Sequence, residues 1–121
     1  DMRNAVRKYF EKTSSLWCNS RLPGEVIRIR DINYIESQEH YIMIITKDDA
    51  VFRKRGSLKA LEAELERQGF IRIHKSYLVN LKYVKSVERY RAVLSNGKSL
   101  AISKARFLDT RNEFACYRGE I

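Results

Sequence analysis

The sequence predicts a mainly β domain: short antiparallel strands in small sheets, one short helix, and an N-terminal helix or linker. Several short runs are rich in β-branched and aromatic residues. Turn residues punctuate them at Pro23-Gly24, Lys47-Asp48-Asp49 and Ser95-Asn96-Gly97-Lys98. Only one segment carries a clear apolar stripe at three- and four-residue spacing. Many strands with one helix exclude a helix-turn-helix plan.

Residues Arg3 to Trp17 read as a helix or linker, because Val6, Phe10 and Trp17 sit near helical spacing while Thr13-Ser14-Ser15 is a poor helix interior. Pro23-Gly24 is the expected boundary, which assigns residues 1–22 to a linker or N-terminal helix and 23–121 to the folded module. Val26, Ile27 and Ile29 then alternate with Arg28 and Arg30, and Ile32, Tyr34 and Ile35 follow. Tyr41 to Thr46 is a second strand-like run, turning at Lys47-Asp48-Asp49 and returning through Ala50 to Arg53. Ser57 is a good N-cap for a helix whose stripe is Leu58, Leu61 and Leu65, with Gly69 suited to its left-handed C-terminal position.

Phe70 to Ile73 begins as apolar/polar alternation, which sets Phe70, Arg72 and His74 opposite Ile71 and Ile73. A polar tip, His74-Lys75-Ser76, interrupts it before the apolar run resumes at Tyr77. Tyr83 to Val87 and Ala92 to Leu94 are further strands. Asn96-Gly97 signals a two-residue type I′ hairpin leading to Leu100-Ala101-Ile102. The tail from Ser103 to Tyr117 is expected to hold a short helix with Phe107, Leu108 and Phe114 facing the body.

A chain of 121 residues favours one domain with a modest core. Such a domain buries about 65% of its unfolded surface. No run of about twenty apolar residues is present, so no membrane span is expected. No signal peptide is visible, and a start at Asp1 suggests a piece of a longer protein. Cys18 and Cys116 are most simply free thiols in a reducing cytoplasm. Neither has a second cysteine at ligand spacing, and His40 and His74 are far apart, so neither a metal nor another cofactor is expected.

The charge is more telling. The chain carries a net +9, yet Ile71 to Arg106 alone holds nine Lys/Arg against one acidic residue, Glu88. Positive charge clustered in this way suits a polyanionic partner better than general solubility. Three polar tips offer the contacts: the donors Ser37, Gln38 and His40 with the acceptor Glu39 in the first, Lys75 and Ser76 in the second, Lys104 and Arg106 in the third. Arg55 suits phosphate contact and the protection of a strand edge about equally. His74 is better read as structural, and Glu36 as an internal hydrogen-bond or ion-pair partner. Tyr34, Tyr41, Tyr77 and Tyr83 lie in apolar runs and read as core.

The motif Ile32-Asn33-Tyr34-Ile35-Glu36-Ser37 with His40-Tyr41 resembles the opening of the LytTR (LytR/AgrA-type) family of bacterial DNA-binding domains. Arg55-Gly56-Ser57-Leu58 with Leu61-Glu62 and Leu65 resembles its helix signature, and Phe70 to Asn80 its most recognisable block. Ser95 to Lys98, Ile102-Ser103-Lys104 and Phe107-Leu108 resemble its closing hairpin and tail. The likeness runs from about Val26 to Phe114.

That resemblance implies the output domain of a transcriptional regulator, a two-component response regulator with an N-terminal phosphoreceiver domain. It implies loops that read successive major grooves of double-stranded DNA, at promoter direct repeats where two copies pair as a dimer. Family contacts would fall on His40 or its neighbours Gln38 and Glu39, on Lys75, and on Lys104 to Arg106.

Two other classes compete. A single-stranded nucleic-acid binder would need tyrosines exposed on a sheet face as stacking platforms. An enzyme would need an oriented acid/base pair or nucleophile; Glu36/His40 and Cys116 are the candidates, and no pattern orients them. The sequence therefore reads as non-enzymatic.

Overall fold

The computed structural model describes residues 15–17 and 26–120; within them the apolar runs form ten short strands and two α-helices. Strand β1 (Ser15–Trp17) pairs antiparallel with β2 (Val26–Arg28). A helix or linker was the expectation for Ser15–Trp17. They form a strand because β2 offers a pairing partner, which local spacing does not reveal. Cys18, the Pro23-Gly24 turn and the rest of the proposed 1–22 linker lie outside the described residues.

The main sheet holds β3 (Ile32–Gln38), β4 (Tyr41–Thr46), β5 (Val51–Arg55), β6 (Phe70–His74) and β7 (Tyr77–Asn80), in the order β5-β4-β3-β7-β6. All neighbouring pairs are antiparallel. A smaller sheet, ordered β10-β9-β8, contains β8 (Val84–Glu88), β9 (Arg91–Leu94) and β10 (Ser99–Ala101).

The main sheet is covered on both faces. Ile32, Ile35, Ile42, Ile44, Phe70 and Leu78 pack with Leu58 and Leu65 of helix α1 (Leu58–Glu66). Tyr34, Ile45, Ile73 and Val79 pack with Ala92, Leu94 and Leu100 of the small sheet and with Ile102. Double coverage explains why β4 is a near-continuous apolar run and why Ile32 to Ile35 of β3 are all buried, without the clean alternation of a half-solvated sheet. A bulge between Ile32 and Tyr34 switches the faces of β3, sending Ile32 to one core and Tyr34 to the other.

Helix α1 starts where Ser57 predicts: its hydroxyl accepts the Ala60 N–H at 3.2 Å. Gly69, at φ 91°, turns the chain back into β6. Helix α2 (Phe107–Tyr117) closes the domain.

Three local expectations need correction. Phe114 is buried and Phe107 partly so, but Leu108 is 59% exposed, because its place in α2 turns it away from the body. The Asn96-Gly97 turn is not type I′. Only Gly97 takes a positive φ, and Leu94 bonds across to Lys98, which makes a three-residue loop. Finally, a bulge between Arg72 and His74 breaks the alternation of β6. His74 faces Tyr77, whose ring packs with the second core, whereas Arg72 stands opposite Leu78 of the first.

Candidate nucleic-acid interface

The antiparallel order brings the polar tips together. β3, β5 and β6 run out to one end of the main sheet, and β4 and β7 start from it. The β3–β4 turn, the end of β5 and the β6–β7 turn therefore share that end.

Main-chain hydrogen bonds lock them to one another. The Ser37 N–H donates to the Ser76 carbonyl at 2.9 Å, joining the first and second tips. The Gly56 N–H donates to the His40 carbonyl at 3.0 Å, joining the first tip to the end of β5. The Ser103 N–H donates to the Ile73 carbonyl at 2.9 Å, bringing the third tip beside the second. Tips separated by more than sixty residues thus stand on one frame.

The first tip is a two-residue turn between Gln38 and Tyr41, with Glu39 at φ 56°. Gln38, Glu39 and His40 are exposed, and Ser37 is half-buried. The Gln38 side-chain amide donates to the Glu36 carboxylate at 3.4 Å, an exposed contact between near neighbours. Arg55 is exposed, with its guanidinium 5.9 Å from the centre of the Tyr41 ring; Arg53 sits 3.9 Å over the same ring.

In the second tip Lys75 is exposed and Ser76 half-buried. His74 is structural, as expected: its Nδ1 accepts the Ser76 N–H at 3.1 Å and its ring lies 5.4 Å from that of Tyr77. This bond requires Nδ1 to be unprotonated. Below the tip, the Arg72 guanidinium reaches three acceptors. Nε donates to the His74 carbonyl at 2.9 Å, one terminal nitrogen to the Lys75 carbonyl at 2.7 Å, and the other to Glu62 at 2.8 Å.

The third tip is a 3-10 turn, Lys104–Arg106, leading into α2. Tyr90 props it. Its carbonyl accepts the Ile102 N–H at 2.9 Å, and its ring meets Phe107 edge-on at 5.3 Å. Tyr90 does this from φ 62°, a conformation unfavourable for a bulky residue. The two cations of the tip diverge. Lys104 is exposed, with its ammonium 5.8 Å from the Tyr90 ring centre. Arg106 is half-buried and lines a cleft of about 560 Å³ with Glu62, Glu66, Arg72, Asp109 and Glu113. Burial raises the pKa of Glu66, the Glu62 hydrogen bond and charge and the Glu113 charge add to it, and Arg106 opposes them.

Arg72 and Tyr90 are the structural residues that the sequence reading did not single out. Arg72 carried one local signal, a guanidinium in a buried strand. Its partner Glu62 lies ten residues away on α1. Tyr90 carried none, since its positive φ is set by tertiary packing.

Of the tyrosines read as core, Tyr34 is buried, and Tyr41, Tyr77 and Tyr83 are partly buried. Burial raises the pKa of the Tyr77 and Tyr83 hydroxyls. Among the described residues no group of three or more His, Cys, Asp or Glu is placed to hold a metal ion, and no helix is long and apolar enough to cross a membrane. Cys116 is an exposed free thiol.

Comparisons with known proteins bear on the family and the fold. The family model described as the LytTr DNA-binding domain matches residues 25–114. The Bacillus subtilis (strain 168) sensory transduction protein LytT is 24% identical over 84 residues, covering 65% of this chain and 34% of that protein. The heme-containing CO-sensing transcriptional regulator RcoM 2 of Paraburkholderia xenovorans (strain LB400) is 29% identical over 85 residues, covering 67% of this chain and 32% of that protein. The chain thus spans about a third of the length of these relatives. A solved LytTr DNA-binding domain from Bacillus cereus superposes with a TM-score of 0.70 at 17% identity, covering 84% of this chain and 96% of that one.

Proposed function

The chain belongs to the LytTR DNA-binding domain family, and on that premise we propose that it reads double-stranded DNA in a sequence-specific way, through the three tips at one end of its main sheet. The observation that carries this reading is the main-chain linkage of the tips, Ser37 to Ser76 and Ser103 to Ile73. Donors mounted on one rigid frame can enter successive major grooves on one face of a duplex. No recognition helix is needed, since loops on a fixed scaffold supply the contacts.

Lys75 and Lys104 are the leading contacts, because both are exposed and cationic. Gln38, Glu39 and His40 form the first reading loop, with Ser37 and Ser76 as supporting donors. Arg55 approaches the phosphate backbone beside it. Arg106 is the weaker candidate, since its guanidinium faces acidic neighbours. The relatives' names add a transcriptional and sensory setting. We accordingly assign the domain to a cytoplasmic bacterial transcriptional regulator. There it would answer to an N-terminal phosphoreceiver domain and bind direct repeats as paired copies.

The test is a titration of the 121-residue chain into random duplexes at two salt concentrations, followed by sequencing of the retained DNA. An enriched motif, weakened by Lys75→Ala and by Lys104→Ala, supports the reading. Retention without enrichment, or preference for single strands, overturns it. Each phosphate contact removed should lower the salt slope by about 1.

A further inference from the structure

We propose that Arg72, anchored by Glu62, is a positioning residue that fixes Lys75 for DNA; this rests on the reading that Lys75 reaches the duplex. An ordinary strand-to-helix ion pair would spend its N–H groups on the carboxylate. Here two of its three hydrogen bonds go to the carbonyls of His74 and Lys75, residues at and just beyond the end of β6. The third goes to Glu62 on α1, a helix packed on the main sheet. One planar guanidinium therefore ties the tip to the helix.

Only an arginine offers three donors in a fixed fork; a lysine at position 72 keeps the charge but cannot hold all three acceptors. The Arg72 side chain is 14% exposed, so it acts from beneath the tip and is not itself a surface contact. The bulge between Arg72 and His74 takes Ile73 out of the strand register, which re-aims the end of β6 where the tip begins. On the other side His74 Nδ1 holds the Ser76 N–H. Lys75 stands between these two braces, with its own backbone carbonyl captured and its ammonium free to face outward.

The experiment measures affinity for one duplex recovered from the random-pool selection, for Lys75→Ala, Arg72→Lys, Glu62→Ala, Glu62→Gln and the double variants with Lys75→Ala. Thermal melts of each variant confirm that it is folded at the assay temperature. Lys75→Ala should weaken binding about tenfold, near the low end of a base contact. Arg72→Lys should weaken it by a similar factor, and adding Lys75→Ala should then cost little more, since the two act through one contact.

Glu62→Ala separates positioning from simple charge. Removing an acid near a polyanion should tighten binding; loss of the anchor should weaken it. Glu62→Gln, which keeps an acceptor for Arg72, should recover most of what Glu62→Ala loses. Tighter or unchanged binding by Glu62→Ala, or full additivity of Arg72→Lys with Lys75→Ala, overturns the positioning role while leaving the Lys75 contact standing. Should Lys75→Ala itself change nothing, the assignment of this face to DNA fails first.

Discussion

The Lys98 ammonium donates to the Tyr34 hydroxyl at 2.7 Å, tying the β9–β10 hairpin to the central strand of the main sheet. Tyr34 is almost fully buried and its ring meets Tyr77 edge-on at 6.2 Å. The bond joins the two sheets at a point where apolar packing alone would not fix their register. Tyr34→Phe should lower stability by about 1 kcal/mol, the usual value of such a bond, as read by urea melts. The hydrogen bond to Tyr34 is the leading cause of a raised Lys98 pKa. A raised amine pKa means stabilisation fully present below the unfolded value of 10.5 and lost as pH climbs through the folded one. The difference between wild type and Tyr34→Phe should be constant near neutrality and shrink above about pH 10.5.

Glu66 behaves in the opposite sense. Glu66 is exposed, but its carboxyl pKa is raised by partial desolvation and then by Glu62 and Glu113, so the charged form is penalised in the folded state. That penalty is complete above the folded pKa and gone below the unfolded value of 4.5. Glu66→Gln should raise the melting temperature at pH 7, and the gain should disappear by about pH 4. A gain of equal size at both values would refute the assignment.

Lys104 and Arg106 should part company when removed. Lys104→Ala should weaken duplex binding and lower the salt slope by about 1 while leaving the melting temperature nearly unchanged. Arg106→Ala should do the reverse, because it takes the counter-charge from the cleft lined by Glu66, Asp109 and Glu113. Paired binding and melting curves decide between them.

Asp49 closes the β4–β5 hairpin at φ 66°, where a side chain is unfavourable. The Thr46 hydroxyl accepts the Ala50 N–H at 3.1 Å, so the turn is held without the Asp49 side chain. Asp49→Gly should therefore stabilise the domain by about 0.5–1 kcal/mol, the left-handed penalty less the chain entropy of glycine. Chemical denaturation would show it as a higher midpoint at unchanged slope.

Much of this molecule is legible in the chain because its local signals agree with its tertiary needs. Ser57 caps α1, Leu58 and Leu65 enter the core, and Lys75-Ser76 forms the turn that the polar tip suggests, with His74 ending β6. What escapes a linear reading is set by long-range pairing. The strand at Ser15–Trp17 exists because β2 is there. The bulge at Ile73 moves His74 to the face of Tyr77, against the period of two. Leu108 carries the apolarity of a core residue yet points outward, as helix phase and not composition decides burial. The three tips could each be picked out from their residues. Their assembly could not, because it depends on the strand order β5-β4-β3-β7-β6.

The bonds that bind the tips together, Ser37 to Ser76, Gly56 to His40 and Ser103 to Ile73, all use main-chain atoms. The residues that would meet DNA can therefore be exchanged without loosening the frame that presents them. Recognition and folding are written in different atoms of the same loops. If these tips read DNA as proposed, a lineage carrying this scaffold would be free to drift from one operator to another, and a designer could rewrite Gln38, His40, Lys75 and Lys104 as interchangeable type set in a fixed press.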